Sequence, residues 1–429
     1  MKNKIRFDKR LFESLFSLGL AQFFNYLSPL ISFPLLLKEF GIEKYGIIST
    51  SFVLALLFCS FADFGFNISG VKFIAQNREK TSNIFYSIFF LKLIFSIFLL
   101  TTFYILVENY ESYKEYEIIF IFSSGMIIAR IFNCDWFFQG KEKMRFIAIT
   151  NFISNCIYII GILVLININL GFKYVTLFRS LGLLLGSIIS FISAIYFFNL
   201  KFIFNKKDII YFANKGSFVF VSTIASNIFQ NTPALLVKSL FSYEIVGVYS
   251  SIEKMVSFGK QMVMIINQMF HPRLAIYFSK NVSDFIRLWK KSSLVSIIAA
   301  VGILFLLFMS KSLIFNYFSE LKTFKFTTSL YYLMTLLIVT YTLVNALGLN
   351  GLLIINKTRN LALSQIYPLI IYVILAITFI KMKIEDILIV ALLLFIIDIL
   401  IVGIRAFMFK SALGIRIPFK YKITSKKTY

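Results

Sequence analysis

Histidine, cysteine, proline and acidic residues are all scarce in this sequence. Its 429 residues include one His, three Cys, six Pro and 20 Asp or Glu, and charged residues of both signs make up only 15%. So few Cys and His argue against a zinc site or a disulfide scaffold. Low Gly and Pro content excludes collagen-like and disordered chains. The sequence therefore has too little polar surface to cover a water-soluble body of this size.

Apolar residues, in contrast, are abundant. Hydrophobic residues make up 59% of the chain, and the mean hydropathy is +0.83. A helix needs about 20 apolar residues to cross the bilayer core. We predict an all-α polytopic membrane protein with twelve transmembrane helices, in two six-helix lobes formed by residues 1–205 and 206–429. The predicted spans are Ser14–Leu37, Gly46–Gly70, Ile84–Val107, Ile118–Phe138, Phe146–Asn169, Val175–Leu200, Gly216–Val237, Ile245–Phe270, Leu294–Phe315, Thr327–Leu349, Leu361–Ile380 and Ile384–Phe409.

The distribution of Lys and Arg between alternate loops predicts the orientation. With Arg405 counted at the C-terminal end and Lys311 in a loop, 29 basic residues lie at the two ends of the chain and in the even-numbered loops, and 10 lie in the odd-numbered loops. Because basic loops stay in the cytoplasm, both termini are expected there. This asymmetry also accounts for most of the net charge of +24, so no nucleic-acid partner is expected.

A weak internal repeat supports the division into two halves. The stretch Leu35–Ser49 follows the first span, and the similar stretch Leu235–Ser250 follows the seventh. Two halves that both start in the cytoplasm are parallel repeats, related by a pseudo-two-fold axis along the membrane normal. Chance matching of apolar sequence is the alternative. With one inserted residue, the matched pairs are Lys38 and Lys238, Glu43 and Glu244, and Gly46 and Gly247.

We select nine ionisable residues inside the predicted spans, where each is costly if it faces lipid. A water-filled internal cavity accommodates them, although pairing with one another is the structural alternative for Asp63 and Asp398. Lys92 and Arg179 lie near span ends and could instead extend to the interface. The basic members are Lys92, Arg130, Arg179, Lys254 and Lys260, and the acidic members are Asp63, Asp135, Glu253 and Asp398.

Amide side chains on the first helix of each half extend this polar lining. Gln22 and Asn25 are three residues apart on the first span, so they share a helix face. Gln230 and Asn231 lie on the seventh span, and Gln261 lies on the eighth. Hydrogen bonding between helices is the alternative to ligand contact for these amides.

Two junctions resemble those of a known group of transporters. The stretch 35–66, LLLKEFGIEKYGIISTSFVLALLFCSFADFGF, resembles the junction between spans one and two of polysaccharide-biosynthesis transporters. The stretch 133–154, NCDWFFQGKEKMRFIAITNFIS, resembles their junction between spans four and five. Residues 246–251 resemble the matching junction of the second half. The resemblance implies a Wzx-type O-antigen flippase of the multidrug/oligosaccharidyl-lipid/polysaccharide (MOP) exporter superfamily. It carries over Trp136, Gln139, Gly140, Glu142 and Lys143 as fold and gate elements.

This resemblance also implies a substrate, a location and partners. The expected substrate is an undecaprenyl-diphosphate-linked oligosaccharide, which is moved from the cytoplasmic to the periplasmic leaflet of the bacterial inner membrane. A transporter of this kind is not an enzyme and needs no cofactor, and a glycan polymerase and a chain-length protein are its expected partners. Alternatives are a cation-coupled multidrug antiporter of the same superfamily, a membrane glycan polymerase and a lipid II flippase.

Each candidate residue then receives an expected role. Alternating access would carry the anionic head group through a cationic central cavity. The predicted substrate-binding residues are Arg130, Lys254, Lys260, Arg179, Gln22, Asn25, Gln230, Asn231 and Gln261. The predicted ion-coupling or gating residues are Asp63, Glu253 and Asp398.

Overall fold

The computed structural model describes the backbone of residues 9–413, and their side chains except those of residues 9–24, 26, 78, 218, 222 and 272. All regular secondary structure in this part of the chain is helical, as predicted. Short 3₁₀ helices lie at Arg78–Lys80 and Ser319–Lys322, and a π-helix lies at Gly348–Leu352. The α-helices are α1 (Lys9–Ala62), α2 (Phe66–Gln76), α3 (Thr81–Asn109), α4 (Glu111–Lys114), α5 (Glu117–Phe132), α6 (Asp135–Gly140), α7 (Met144–Asn167), α8 (Tyr174–Phe198), α9 (Lys206–Leu240), α10 (Tyr243–Lys280), α11 (Val282–Tyr317), α12 (Thr327–Leu347), α13 (Thr358–Met382) and α14 (Ile387–Ala412).

Helix α1 holds the first predicted span and most of the second, which meet at a break. Gly41 adopts φ 79° and ψ 170°, a conformation that glycine reaches without a Cβ clash. The first arm contains Pro29 and Pro34, and the second arm runs from residue 42 to Ala62. The helix therefore kinks at Gly41 without an intervening loop.

Two of the predicted spans are discontinuous near the same group of residues. The second predicted span breaks after Ala62, and Phe64 and Gly65 adopt left-handed backbone angles before α2 begins. The fourth breaks between the end of α5 and the start of α6, where Asn133 is extended. Broken helices at membrane depth are tolerated where other protein groups satisfy the freed backbone atoms.

Nine helices of the described part are long and apolar enough to cross a bilayer, or ten if the bent helix α9 is counted as one span. One of the nine is the segment Leu27–Gln76, which contains the break at Gly41. Helix α10 is absent from this set, and it runs past the predicted end at Phe270 to Lys280. The membrane-spanning character is thus confirmed, whereas the exact number of twelve stays a prediction.

The largest apolar core joins the first half of the chain to the second. It includes Leu36 and Tyr45 of α1 together with Val237 of α9, and Val246 and Tyr249 of α10. Separate clusters lie under the α2–α6 region and at the end of α12 and α14. The predicted lobe boundary at residues 205 and 206 coincides with the start of α9. The contact between α1 and α10 therefore positions the candidate site between the two halves.

Candidate functional site

Three of the predicted intramembrane charges form one buried cluster. Lys92 Nζ of α3 lies 3.1 Å from Asp63 Oδ1, in the turn between α1 and α2. Arg130 Nη1, in the last turn of α5, lies 3.4 Å from Asp63 Oδ2. Asn67 Nδ2 donates a hydrogen bond to the same carboxylate oxygen at 3.3 Å. One aspartate thus neutralises parts of two cations, and the charge that remains lies on the more exposed Arg130.

Lys92 also satisfies the backbone of the broken fourth span. Its ammonium donates hydrogen bonds to the carbonyl oxygens of Arg130, at 3.2 Å, and of Asn133, at 3.3 Å. Only 1% of its side chain is exposed. A buried charge is tolerated when its donors are matched in this way. Lys92 therefore joins the breaks of the second and fourth spans.

Arg179 of α8 has different surroundings. Its Nη1 donates to Asn155 Oδ1 at 3.0 Å, and Asn155 Nδ2 donates to Asn25 Oδ1 at 3.1 Å. The guanidinium lies 5.1 Å from the centre of the Tyr158 ring. Within the described residues, no carboxylate lies in ion-pair range of Arg179. The neighbours of this cation among the described side chains are therefore an amide and an aromatic ring, and not a carboxylate.

A cavity of about 410 Å³ lies between α1, α10 and α11. Its wall is mostly apolar, and Lys254 and Gln261 of α10 are among its few polar residues. Lys254 Nζ lies 3.5 Å from Glu253 Oε2, and Ser257 donates to Glu253 Oε1 at 3.0 Å. The side chains of Glu253 and Lys254 are 30% and 37% exposed, so this ion pair is only weakly held. Apolar residues that line the cavity include Pro29, Phe33, Phe258 and Leu307.

A second polar cluster lies in the C-terminal half, around Asp398 of α14. Thr340 donates to Asp398 Oδ2 at 2.6 Å. Arg405, seven residues along the same helix, donates from Nε to Ser364 Oγ at 3.0 Å and from Nη1 to the Val344 carbonyl at 2.6 Å. Arg405 thereby caps the end of α12, where the π-helix begins.

The predicted site residues consequently separate into groups. Lys254 and Gln261 line the cavity, while Arg130 joins the Asp63 cluster and Arg179 joins Asn25. Lys260 lies 5.6 Å from the centre of the Tyr341 ring. Of the remaining amides, Gln230 is exposed and Asn231 donates to the Asn227 carbonyl of its own helix. The Gln22 side chain lies outside the described residues.

Sequence reasoning missed Asn155 and Arg405. Asn155 is an amide in an otherwise apolar run, and its position facing Arg179 depends on how α7 packs on α8. Arg405 was assigned to the cytoplasmic end of the chain, but 3% exposure makes it a buried residue. The signal was its spacing of seven residues from Asp398, which places both on one helix face.

No group of three or more potential metal ligands is found among residues 9–413. The polar atoms in the cavity are instead amide, hydroxyl, ammonium and carboxylate groups. Such groups bind charged or hydroxylated ligands by hydrogen bonds. The polar side chains can therefore bind an anionic or polar head group, and the apolar wall can contact the hydrocarbon part of the same molecule. The arrangement thus suits an amphiphile.

Comparison with known proteins yields a family and a fold. Residues 11–278 match the family model described as "Polysaccharide biosynthesis protein". A protein of Escherichia coli (strain K12) named "Putative O-antigen transporter" is 32% identical over 143 residues, which is 32% of this chain and 34% of the relative. A protein of the same name from Shigella dysenteriae is 22% identical over 260 residues, 58% of this chain and 64% of the relative. The match thus spans about a third of the length of the Escherichia coli relative and just under two thirds of the length of the Shigella dysenteriae relative.

Solved transporters share the fold. An inward-facing multidrug resistance MATE family transporter of the MOP superfamily superposes with a TM-score of 0.70 at 12% identity, covering 91% of this chain and 94% of that one. Lipid II flippase MurJ, in an inward closed conformation, gives a TM-score of 0.65 at 17% identity, covering 92% and 89%. At these identities the likeness concerns the fold alone.

Proposed function

Because the chain belongs to the polysaccharide biosynthesis protein family, we propose that it is a flippase that moves a lipid-linked glycan across the membrane. The observation that carries this proposal is the apolar cavity between the two halves of the chain, into which α10 places Lys254 and Gln261. An apolar wall with one cation suits a lipid whose head group is anionic. The names of the two relatives favour the same class of cargo.

The proposed cargo is an undecaprenyl-diphosphate-linked oligosaccharide, because its parts match these surroundings. A diphosphate carries about two negative charges and cannot cross hydrocarbon unaided. Lys254 can receive it because it lines the cavity and its partly exposed ion pair with Glu253 is weak. Arg179 can receive it because no acidic partner lies within ion-pair range among the described side chains. The polyprenyl tail would remain against the apolar wall formed by Phe33, Phe258 and Leu307.

The sugar hydroxyls would be met by amides. Asn25 and Asn155 form a hydrogen-bonded pair beside Arg179, and Gln261 lies in the cavity wall. Gln230 and Asn231 belong to this proposal only in another conformation of the carrier, and Gln22 belongs to it as predicted from the sequence. Amides suit hydroxyl groups because they both donate and accept.

Ion pairs of the two halves would supply coupling. Asp63 pairs with Lys92 and Arg130, Glu253 lies beside Lys254, and Asp398 accepts a hydrogen bond from Thr340. Binding of a proton or another cation to such a carboxylate would release its basic partner for the cargo. Arg130 and Lys260 would then reach the head group during part of the cycle and be neutralised in the rest.

We place this activity in the bacterial inner membrane, with both termini in the cytoplasm and transport toward the periplasmic leaflet. The asymmetry of basic loops supports this orientation. A glycan polymerase and a chain-length protein would use the product. A multidrug antiporter is less favoured, because a lysine in the cavity wall repels cationic drugs.

Depletion of the protein in its own cells tests the proposal. Lipid-linked glycan should then accumulate in the inner leaflet, where reagents confined to the periplasm cannot reach it. Re-expression of the wild-type chain should restore access. Unchanged access after full depletion, in cells with no second transporter gene, would reject the proposed function.

A further inference from the structure

Helices α1 and α10 meet along residues that are equivalent in the internal repeat. The contact, which we name the seam, consists of Ile42, Gly46 and Ser49 of α1 with Tyr243, Gly247 and Ser250 of α10. Each residue of the first set lies 201 positions before its counterpart in the second. The seam therefore joins corresponding positions of the two halves.

The contacts across the seam are reciprocal. A Cβ added to Gly46 would overlap the carbonyl oxygen of Tyr243, and a Cβ added to Gly247 would overlap the carbonyl oxygen of Ile42. Ile42 and Tyr243 are themselves counterparts. When two residues of one half each contact the counterpart of the other residue in the second half, the contact has two-fold symmetry. The reciprocal contacts thus favour a pseudo-two-fold axis that passes through the seam.

One hydrogen bond crosses the seam close to this axis. Ser49 Oγ donates to Ser250 Oγ at 2.8 Å, and these two serines are 5% and 1% exposed. The neighbouring hydroxyls of Thr50 and Ser251 instead bond to the carbonyls of Gly46 and Gly247 in their own helices, at 2.8 and 2.7 Å. Around the small residues, Tyr45 of α1 packs in the same apolar core as Val246 and Tyr249 of α10, and the Tyr243 hydroxyl donates to the carbonyl of Ser112 in the first half. No ion pair between described residues crosses the seam, so parting the helices breaks apolar contacts and hydrogen bonds only.

The seam closes one end of the space between the halves. In the first half, the seam residues follow the break at Gly41 in α1. In the second half, they follow the break between α9 and α10. Both breaks are predicted to lie on the side of the membrane opposite the basic loops. Lys254, in the cavity wall, lies seven residues after Gly247 on α10. At 1.5 Å per residue, it is about 10 Å further along the helix than Gly247. At the other end, the Phe64 and Phe220 rings stack with centroids 4.2 Å apart.

We propose that the seam is the outer gate of the carrier. Opening would part Gly46 from Gly247 and break the Ser49–Ser250 hydrogen bond, which would connect the cavity to the periplasmic side. This inference rests on the proposed function for its transport role. The closed contact and its opening are, however, properties of the protein without cargo.

Thiol labelling tests the gate without any glycan. In a background with Cys59, Cys134 and Cys156 replaced by Ala, Ser257→Cys places one thiol in the cavity wall. Gly46→Leu would hold the helices apart. We expect it to raise the labelling rate by a membrane-impermeant maleimide, applied from the periplasmic side, by about tenfold or more.

Gly302→Leu is the matched control, because nothing lies within 4 Å of a Cβ at that position of α11. Its labelling rate should equal that of the reporter alone. An unchanged rate in a Gly46→Leu protein that is purified in normal amount would overturn the gate, as would faster labelling only from the cytoplasmic side. If labelling rises but depletion leaves glycan access unchanged, the gate stands and the proposed function alone fails.

A cysteine pair provides a second test that needs no bulky substitution. In the same cysteine-free background, Ser49→Cys and Ser250→Cys should form a disulfide on mild oxidation, given the 2.8 Å between the native hydroxyl oxygens. A protease site inserted in the non-helical segment 200–205 would show that the two halves remain joined until reduction. Thr101→Cys with Ser250→Cys is the control, because Thr101 is exposed on α3. If both cysteine pairs cross-linked to the same extent, or if neither pair cross-linked, the proposed contact at the seam would be wrong.

Discussion

At the residue scale, Lys92 and Arg179 show how two basic residues in one lobe acquire different roles. Lys92 has an acidic partner and two backbone carbonyls, and its side chain is almost completely buried. Among the described side chains, Arg179 contacts neutral groups, the amide of Asn155 and the ring of Tyr158. A matched cation stabilises the fold, whereas an unmatched one is free to attract an anionic ligand.

Arg179→Ala should impair transport more than folding. Loss of a charge-assisted hydrogen bond of about 1.5 kcal/mol or more corresponds to about a tenfold lower rate of glycan translocation. The measurement is the initial rate of lipid-linked glycan appearance in the outer leaflet, normalised to protein in the membrane. Arg359→Ala, at an exposed position, is the control and should match wild type. A wild-type rate for Arg179→Ala would remove Arg179 from the proposed site.

Lys92→Met should instead impair stability. The change leaves carbonyls of the broken fourth span and part of Asp63 without a partner, at a cost of about 3–5 kcal/mol. The free energy of unfolding in detergent, followed by the fluorescence of Trp136 and Trp289, measures it. Adding Asp63→Asn should recover part of the loss, because it removes the uncompensated carboxylate. A stability change below that of Arg179→Met would contradict the structural role of Lys92.

Sequence alone could identify the buried charges but not their partners. Asp63, Lys92 and Arg130 are polar residues in apolar runs, which is sufficient to select them. Their pairing depends on the depth at which α3 crosses the ends of α1 and α5, and no local pattern encodes that depth. For the same reason Arg130 was expected to face cargo, whereas the structure places it against Asp63.

At the element scale, the breaks in the predicted spans position the charged side chains. Apolar periodicity predicted continuous helices, and the composition of α2 and α6 gives little sign of a break. The break before α2 is possible because Gly65 adopts φ 69° and because Lys92 bonds the carboxylate of Asp63 in that turn. Such compensation comes from a different helix, so it is invisible in a window of sequence.

A bulky side chain in the cavity between α1, α10 and α11 should lower the translocation rate. Leu307→Trp adds a large ring to the cavity wall, and we expect at least about a fivefold lower translocation rate, because the proposed lipid tail loses its space. Leu306→Trp is the control at the adjacent position, which is 66% exposed and faces away from the protein. Equal translocation rates in the two variants, at equal expression, would place the tail elsewhere.

At the scale of the whole molecule, the two halves meet through equivalent elements. The repeat that matched Gly46 with Gly247 in the sequence matches the residues that touch in the structure. Apolar content and charge asymmetry were sufficient to predict a helical membrane protein. They were insufficient to predict which helices adjoin, because every span presents similar apolar residues to lipid and to protein.

In the proposed mechanism, Lys254 of α10, inside an apolar cavity between the halves, receives an anionic lipid head group. Its role can be measured with the purified chain reconstituted in liposomes with an undecaprenyl-diphosphate-linked oligosaccharide. We expect Lys254→Glu to lower the rate of head-group transfer between leaflets by about tenfold or more, and Lys254→Arg to retain most of that rate. Wild-type rates in both Lys254→Glu and Arg179→Glu would show that neither cation receives the head group.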